Sequence, residues 1–236
     1  EVSSTEQPLH ENLVNVELGA EKKTKTYSFA ATVYGMWYRN QLILTGRVND
    51  VGAYTRINVP KSYRLGMELQ GSYQLAKWLQ ASGNIALSDN RITAFTEFLD
   101  NYDTPIFTQD KVAHRNTAIA LSPSCVANAN LQFTVIPQFT VSTNAQYVSR
   151  QFLDNTENKA RSLRAYWVQD IRLAYTVPQK FCKKIQILGS VQNIWNRKFE
   201  PNGYTFSYVA GGSVVTENFF FPMAGTNAML AVNVTL

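Results

Sequence analysis

"SYRLGMELQGSYQL", residues 62–75, alternates with hardly a break. Tyr63, Leu65, Met67, Leu69, Gly71, Tyr73 and Leu75 share one face of a strand, and Arg64, Gly66, Glu68, Gln70, Ser72 and Gln74 share the other. Such a strand has two physical readings. In a soluble sandwich the apolar side faces a core and the charged side faces water; in a membrane barrel the apolar side meets lipid and the polar side a wet lumen. The rest of the chain has to decide. Alternation of the same kind recurs at about residues 12–20, 26–39, 78–90, 125–136, 138–150, 163–177, 184–196 and 226–236, with almost no competing helical periodicity.

Segments of this length exceed the usual soluble strand of about five to six residues and match a tilted strand crossing a bilayer. Within them Glu17, Arg64, Glu68, Arg164, Asp170 and Arg172 all sit on the polar face, and between its ends the apolar face carries no such residue. A charge at mid-membrane on a lipid-facing position costs about 2–4 kcal/mol, so the distribution points the apolar face outward. Trp37, Tyr63, Tyr73, Trp78, Tyr147, Trp167, Tyr175 and Trp195 fall toward strand ends, where interfacial aromatic girdles sit. The expected fold is all-β: an antiparallel up-and-down transmembrane β-barrel. The alternative is a soluble β-sandwich or lectin-like binding module with these aromatics in its core, and a third reading is a passive pore of oligomerised chains.

The chain has 236 residues, 45% apolar and 17% charged, which excludes a disordered polymer. It contains no apolar run long enough for a spanning helix, and "EVSSTEQPLHENL" lacks the basic and apolar regions of a signal peptide. The net charge of +5 is scattered or held in turn-like clusters such as "EKKTKT" and "KFCKK", without a nucleic-acid-binding motif. Cys125 and Cys182 have no CxxC spacing and are expected at opposite ends of the strands; His10 and His114 have no HExxH partner. No GxSxG elbow, P-loop or GxGxxG occurs, so neither an enzyme nor a cofactor is expected.

Short turns at "EKKTKT", "LAKW", "IPQ" and "VPQKFCKK" take turns with long loops at 40–61, 91–124, 151–162 and 197–225. Outer-membrane barrels have short periplasmic turns and long extracellular loops, which places the long loops outside and the C-terminus in the periplasm. Nine strands is an odd number, whereas single-chain bacterial barrels are even, and an open barrel leaves edges that lipid does not tolerate. Residues 1–236 are therefore expected to be the C-terminal part of a larger barrel.

"SVQNIWNRKFEPNGYTFSY" resembles the penultimate strand of TonB-dependent outer-membrane receptors, with Val191, Asn193, Ile194, Trp195, Asn196 and Phe199 in the motif positions. "ENFFFPMAGTNAMLAVNVTL" is similar to the final motif of that family, although it closes on Leu236 where the family usually has an aromatic. The resemblance implies a 22-stranded barrel around an N-terminal plug, of which this chain would supply nine strands, with plug and TonB box lying outside it. It also implies active uptake of a scarce nutrient, foremost a ferric-siderophore-type complex, driven through the plug by the TonB complex. The implied partners are outer-membrane lipid, the remaining barrel and plug, and a small-molecule ligand. Ligand contacts are expected from the loops: Arg47, Tyr54, Arg56, Tyr102, His114, Arg115, Arg197, Asn202, Tyr204, Phe206 and Tyr208. Arg64, Glu68, Asp170 and Arg172 are expected to face the lumen and plug. "NGYTFSYVAGGSVVTENFFFPMAG" reads as a hairpin turning at Gly211, Gly212 and Ser213 and extending the wall above the membrane.

Overall fold

The computed structural model describes residues 8–48, 53–106, 108–179 and 182–235, and among them every helix-or-strand element is a strand. The side chains of residues 46–48 and 54 also lie outside the description. In chain order the strands are β1 (Asn12–Lys23), β2 (Tyr27–Val48), β3 (Tyr54–Ala76), β4 (Leu79–Asn101), β5 (Thr108–Ala118), β6 (Cys125–Ile136) and β7 (Phe139–Val148). There follow β8 (Gln151–Phe152), β9 (Ser162–Leu163), β10 (Tyr166–Val177), β11 (Lys184–Gln192), β12 (Asn202–Ala210), β13 (Ser213–Phe221) and β14 (Asn227–Thr235). The main sheet runs β1-β2-β3-β4-β6-β7-β10-β11-β14, antiparallel at each step, and β1 and β14 are its edges.

The register carries the alternation across the whole sheet. Leu18, Val33, Met67, Leu87 and Cys125 form one apolar row, while Gln70, Asn84, Asn128 and Gln146 form a row of amides on the opposite face. Leu18, Val33, Met67, Leu131, Leu173 and Leu230 are exposed, and the only other sheet among the described residues is the β8–β9 pair. A soluble sandwich would need a second sheet over this face, so the membrane reading stands. From Tyr63 to Tyr73 the apolar face of β3 covers about 33 Å of strand, or about 25 Å across a bilayer at the tilt of barrel strands. Aromatic rings gather at both borders: Trp167 lies 6.3 Å from Trp195 at one, and Phe139 6.4 Å from Tyr175 at the other.

Four expected boundaries are corrected. The loops foreseen at 40–61 and 91–124 are largely strand: β2 and β3 continue outward as a hairpin, and β4 runs on to pair with β5. Where the sequence suggests strand ends, the ladder passes from Arg39–Lys61 to Gln41–Val59 across Asn40, at φ 55°, and Pro60, which has no N–H to give. The strands kink there and go on. Leu163 leaves the expected lipid-facing strand, since β10 begins at Tyr166 and Leu163 is buried in β9. At the far end of the alternation β11 stops at Gln192, because Asn193 and Asn196 adopt left-handed backbone at φ 50° and 49°.

A small core forms above the bilayer band, where Ile43, Val59, Ile92 and Ile119 pack together with Phe95 against them. Cys125 begins β6 at the long-loop end and Cys182 lies in the opposite, short turn; both are free thiols.

Candidate functional site

The segment "QFLDNTENKARSL", 151–163, is rich in residues whose side chains imitate backbone turns. Asp154 Oδ1 accepts from the Thr156 amide and hydroxyl at 3.0 and 2.6 Å, and Asn158 Oδ1 accepts from the Ala160 amide at 2.9 Å. Local turns of this kind fold the segment over the kinked strands. Leu153 and Leu163 are its buried apolar anchors. Asn155 ties it down, its Oδ1 accepting from the Ala120 amide at 2.8 Å and its Nδ2 donating to the Leu44 carbonyl.

Charges are paired along the same contact. Arg161 Nη1 donates to Asp154 Oδ2 at 2.9 Å and to Glu97 Oε1 at 2.6 Å, while Glu97 Oε2 lies 2.8 Å from His114 Nε2. The Arg161 side chain is 8% exposed. Burial opposes its charge, but the hydrogen bonds to Asp154 and Glu97 prevail and hold the guanidinium pKa above its ordinary value. The ring of His114 also stacks on Phe95 at 4.9 Å. The network joins the β4–β5 hairpin to the 151–163 segment.

The β12–β13 hairpin closes the arrangement from the other side. Its turn forms as the sequence predicts, with Gly211 and Gly212 at φ 64° and 75°. It does not extend the wall, however. β12 crosses to lie parallel to the outer end of β4, at Tyr208–Asp100 and Val209–Asn101, and Asn218 Nδ2 donates to the Ala160 carbonyl of the 151–163 segment. Asn193 anchors the hairpin's base: its Nδ2 donates to the carbonyls of Arg197 and Ala224, and its carbonyl accepts from Thr226 Oγ1 at 2.7 Å. Between the hairpins, the β2–β3 extension and the 151–163 segment lies a cavity of about 450 Å³. Phe95, Phe98 and Phe206 give it apolar walls, and Arg56, Asn155 and Thr205 give it polar groups.

Of the residues predicted to meet a ligand, Arg56 and Phe206 line this cavity. His114 stands behind it as the partner of Glu97. Tyr204 stacks on Phe219 at 4.8 Å, and the Tyr208 hydroxyl donates to Glu217 at 2.9 Å, a bond that raises the phenol's pKa. Tyr102 meets Tyr208 edge-on at 5.6 Å where the hairpin tips join. Arg197 lies 4.8 Å over the Trp167 ring, and Arg115 and Asn202 are exposed outside the cavity lining. The side chains of Arg47 and Tyr54, like Leu236, lie outside the described residues. Sequence reasoning passed over Glu97, Asp154, Asn155 and Arg161; the linear signal of the last three is the Asx and Ser/Thr density of 151–163, and Glu97 has none beyond its place in 91–124.

On the polar face of the wall, Arg64 and Glu68 border a recess of about 390 Å³ with Glu17 and Tyr34. Arg172 borders another, of about 450 Å³, with Ser142 and Gln192. Asp170 Oδ1 accepts from the Asn193 amide at 2.9 Å.

Comparison with known proteins matches this architecture. The chain is similar in fold to the siderophore receptor PiuA from Acinetobacter baumannii, at TM-score 0.64 and 15% identity over 95% of this chain and 28% of that one. It is likewise similar to the ferric yersiniabactin uptake receptor FyuA from Yersinia pestis, at 0.63 and 16% over 95% and 29%, and to the copper transporter OprC, at 0.64 and 15% over 96% and 32%. The chain thus spans about a third or less of the length of these structures. No curated protein matches it in sequence. The family described as TonB dependent receptor-like, beta-barrel matches residues 11–194, from β1 through the end of β11. With the alternating register, the exposed apolar band and the long-loop hairpins, this match assigns the chain to the β-barrel of the TonB-dependent receptors.

Proposed function

We propose that residues 1–236 form the C-terminal part of the barrel of an outer-membrane receptor that actively takes up a scarce nutrient, foremost a ferric-siderophore-type complex. In this reading the long-loop end is extracellular and the short turns are periplasmic. The remaining strands and a plug complete the receptor, and the TonB complex drives it through that plug. Arg64, Glu68, Asp170 and Arg172 line the lumen wall that the plug meets. The observation that carries the proposal is the cavity of about 450 Å³ at the long-loop end, whose three phenylalanines and polar groups suit an aromatic, oxygen-rich ligand. Among its neighbours in fold, PiuA is a siderophore receptor and FyuA takes up ferric yersiniabactin, which supports iron complexes as the first class to test.

The test is titration of the full-length receptor in detergent against a panel of ferric catecholates, hydroxamates and carboxylates, with cellular uptake measured with and without TonB. Binding of one class, TonB-dependent uptake, and affinity at least about ten-fold weaker in Phe206→Ala, as losing a buried aromatic contact implies, would support the proposal. Absence of binding by all three classes, or uptake indifferent to TonB, would reject it.

A further inference from the structure

The tips of the two outer hairpins meet through one carboxylate. Asp103, in the β4–β5 connection, places Oδ1 2.7 Å from the Gly211 amide and Oδ2 2.8 Å from the Gly212 amide, so both N–H groups of the β12–β13 turn donate to it. The two glycines can present adjacent N–H groups this way because both have positive φ, a geometry that forms an anion-binding nest. Asp103 is itself set in place, its own amide donating to Asn101 Oδ1 at 2.9 Å. Beside it the Tyr102 amide donates to the Val209 carbonyl at 2.9 Å, and the Tyr102 ring meets Tyr208 edge-on.

This junction is small next to the elements it joins. β4 and β5 are paired from Arg91–Ala118 out to Asn101–Thr108, and β12 and β13 from Asn202–Phe221 to Ala210–Ser213. Between the hairpins the ladder is confined to Tyr208–Asp100 and Val209–Asn101. Parting the tips would therefore break the junction and leave each hairpin's own ladder whole. The same hairpins wall the cavity, β4 through Phe95 and Phe98 and β12 through Thr205 and Phe206. The base of the β12–β13 hairpin stays held by Asn193 and by the Met223 amide, which donates to the Phe199 carbonyl at 3.1 Å, so parting is confined to the tips.

We propose that Asp103, seated on the amides of Gly211 and Gly212, is a latch that holds the β4–β5 and β12–β13 hairpins together beside the cavity, and that its release parts their tips and uncovers the buried β12 wall of the cavity, at Thr205 and Ser207, to solutes. The latch acts on access, whatever ligand the cavity takes.

The experiment uses the full-length receptor in detergent with Cys125→Ser and Cys182→Ser, and a reporter thiol from Ser207→Cys, a cavity-lining position that is 4% exposed. A control receptor carries its thiol at exposed Lys159 instead. Both are labelled with a water-soluble maleimide. Asp103→Ala should label the reporter at least about ten-fold faster than the parent, the factor implied by losing charge-assisted hydrogen bonds. Asp103→Asn should fall between, because one amide oxygen remains to accept. The control thiol should react at the parent rate throughout. Reporter rates within about two-fold of the parent in Asp103→Ala, a span too small for the loss of such bonds, would overturn the latch. Equal acceleration at the control thiol would do the same, by showing general loosening.

Discussion

Arg161 ties the 151–163 segment to the β4–β5 hairpin, because it pairs with a carboxylate of each. Glu97 belongs to the β4–β5 hairpin and Asp154 to the 151–163 segment, and both are nearly as buried as the guanidinium between them. Removing the cation leaves two carboxylates facing each other out of water. Breaking a buried pair in this way costs about 3–5 kcal/mol, most of it from the uncompensated charges and little from the lost attraction. Arg161→Ala should therefore release residues 152–163 to fast amide hydrogen exchange and leave β3 and β10 protected; unchanged exchange in the segment would show that Leu153 and Asn155 suffice to hold it. Arg161→Lys should be milder, since an ammonium still faces the two carboxylates. None of this was legible from residue types alone. Arg161 reads as one cation in a polar loop, and its partner Glu97 lies 64 positions away. His114 and Arg56 were legible as candidates because cations and aromatics in a barrel loop are few, whereas the pairing of His114 with Glu97 depends on the β4–β5 register.

At the scale of the element, the strand quoted from the sequence makes a sharp comparison possible. Leu69 and Gln70 are neighbours near the middle of the bilayer band on β3, one in the apolar row with Ala31 and Ile85, the other in the amide row with Asn84. Leu69→Arg should cost about 2–4 kcal/mol and Gln70→Arg little, because only the first puts a charge into hydrocarbon. The folded fraction across a urea series in lipid vesicles, read by heat-dependent gel mobility, measures both. Equal costs would mean that the two faces had been assigned wrongly. The alternation was legible because a strand in a bilayer obeys one rule at every second residue. Its outward continuation was not, since Asn40 and Pro60 look like terminators and the structure uses them as a kink. The path of the β12–β13 hairpin was hidden for another reason: its turn is local chemistry, but its neighbour on β4 lies more than a hundred residues earlier in the chain.

At the scale of the molecule, the decisive fact is that the sheet has two edges. The outer sides of β1 and β14 carry backbone N–H and C=O groups with no ladder partner in the main sheet. In hydrocarbon each unsatisfied group costs several kcal/mol, so even a handful outweighs the 5–15 kcal/mol by which a typical protein is stable. Polar exposure of this kind cannot be offset by the apolar band, which gains nothing from strands that fail to close. More strands must therefore pair with β1 and β14 when the sheet is in a membrane. The coverage of its neighbours sets their amount: the chain matches 28–32% of the solved receptors along nearly its whole length. Purified from outer membranes, the polypeptide that contains these residues should have an intact mass roughly three times the 26.6 kDa of this chain, with the added sequence supplying the barrel strands needed for closure. Intact-mass spectrometry with N-terminal sequencing decides it. A membrane-extracted product of 26.6 kDa that stays monomeric in detergent would contradict the argument from open edges. A 26.6 kDa product that closes only as a multimer would satisfy the edges by another route and contradict the single-chain receptor.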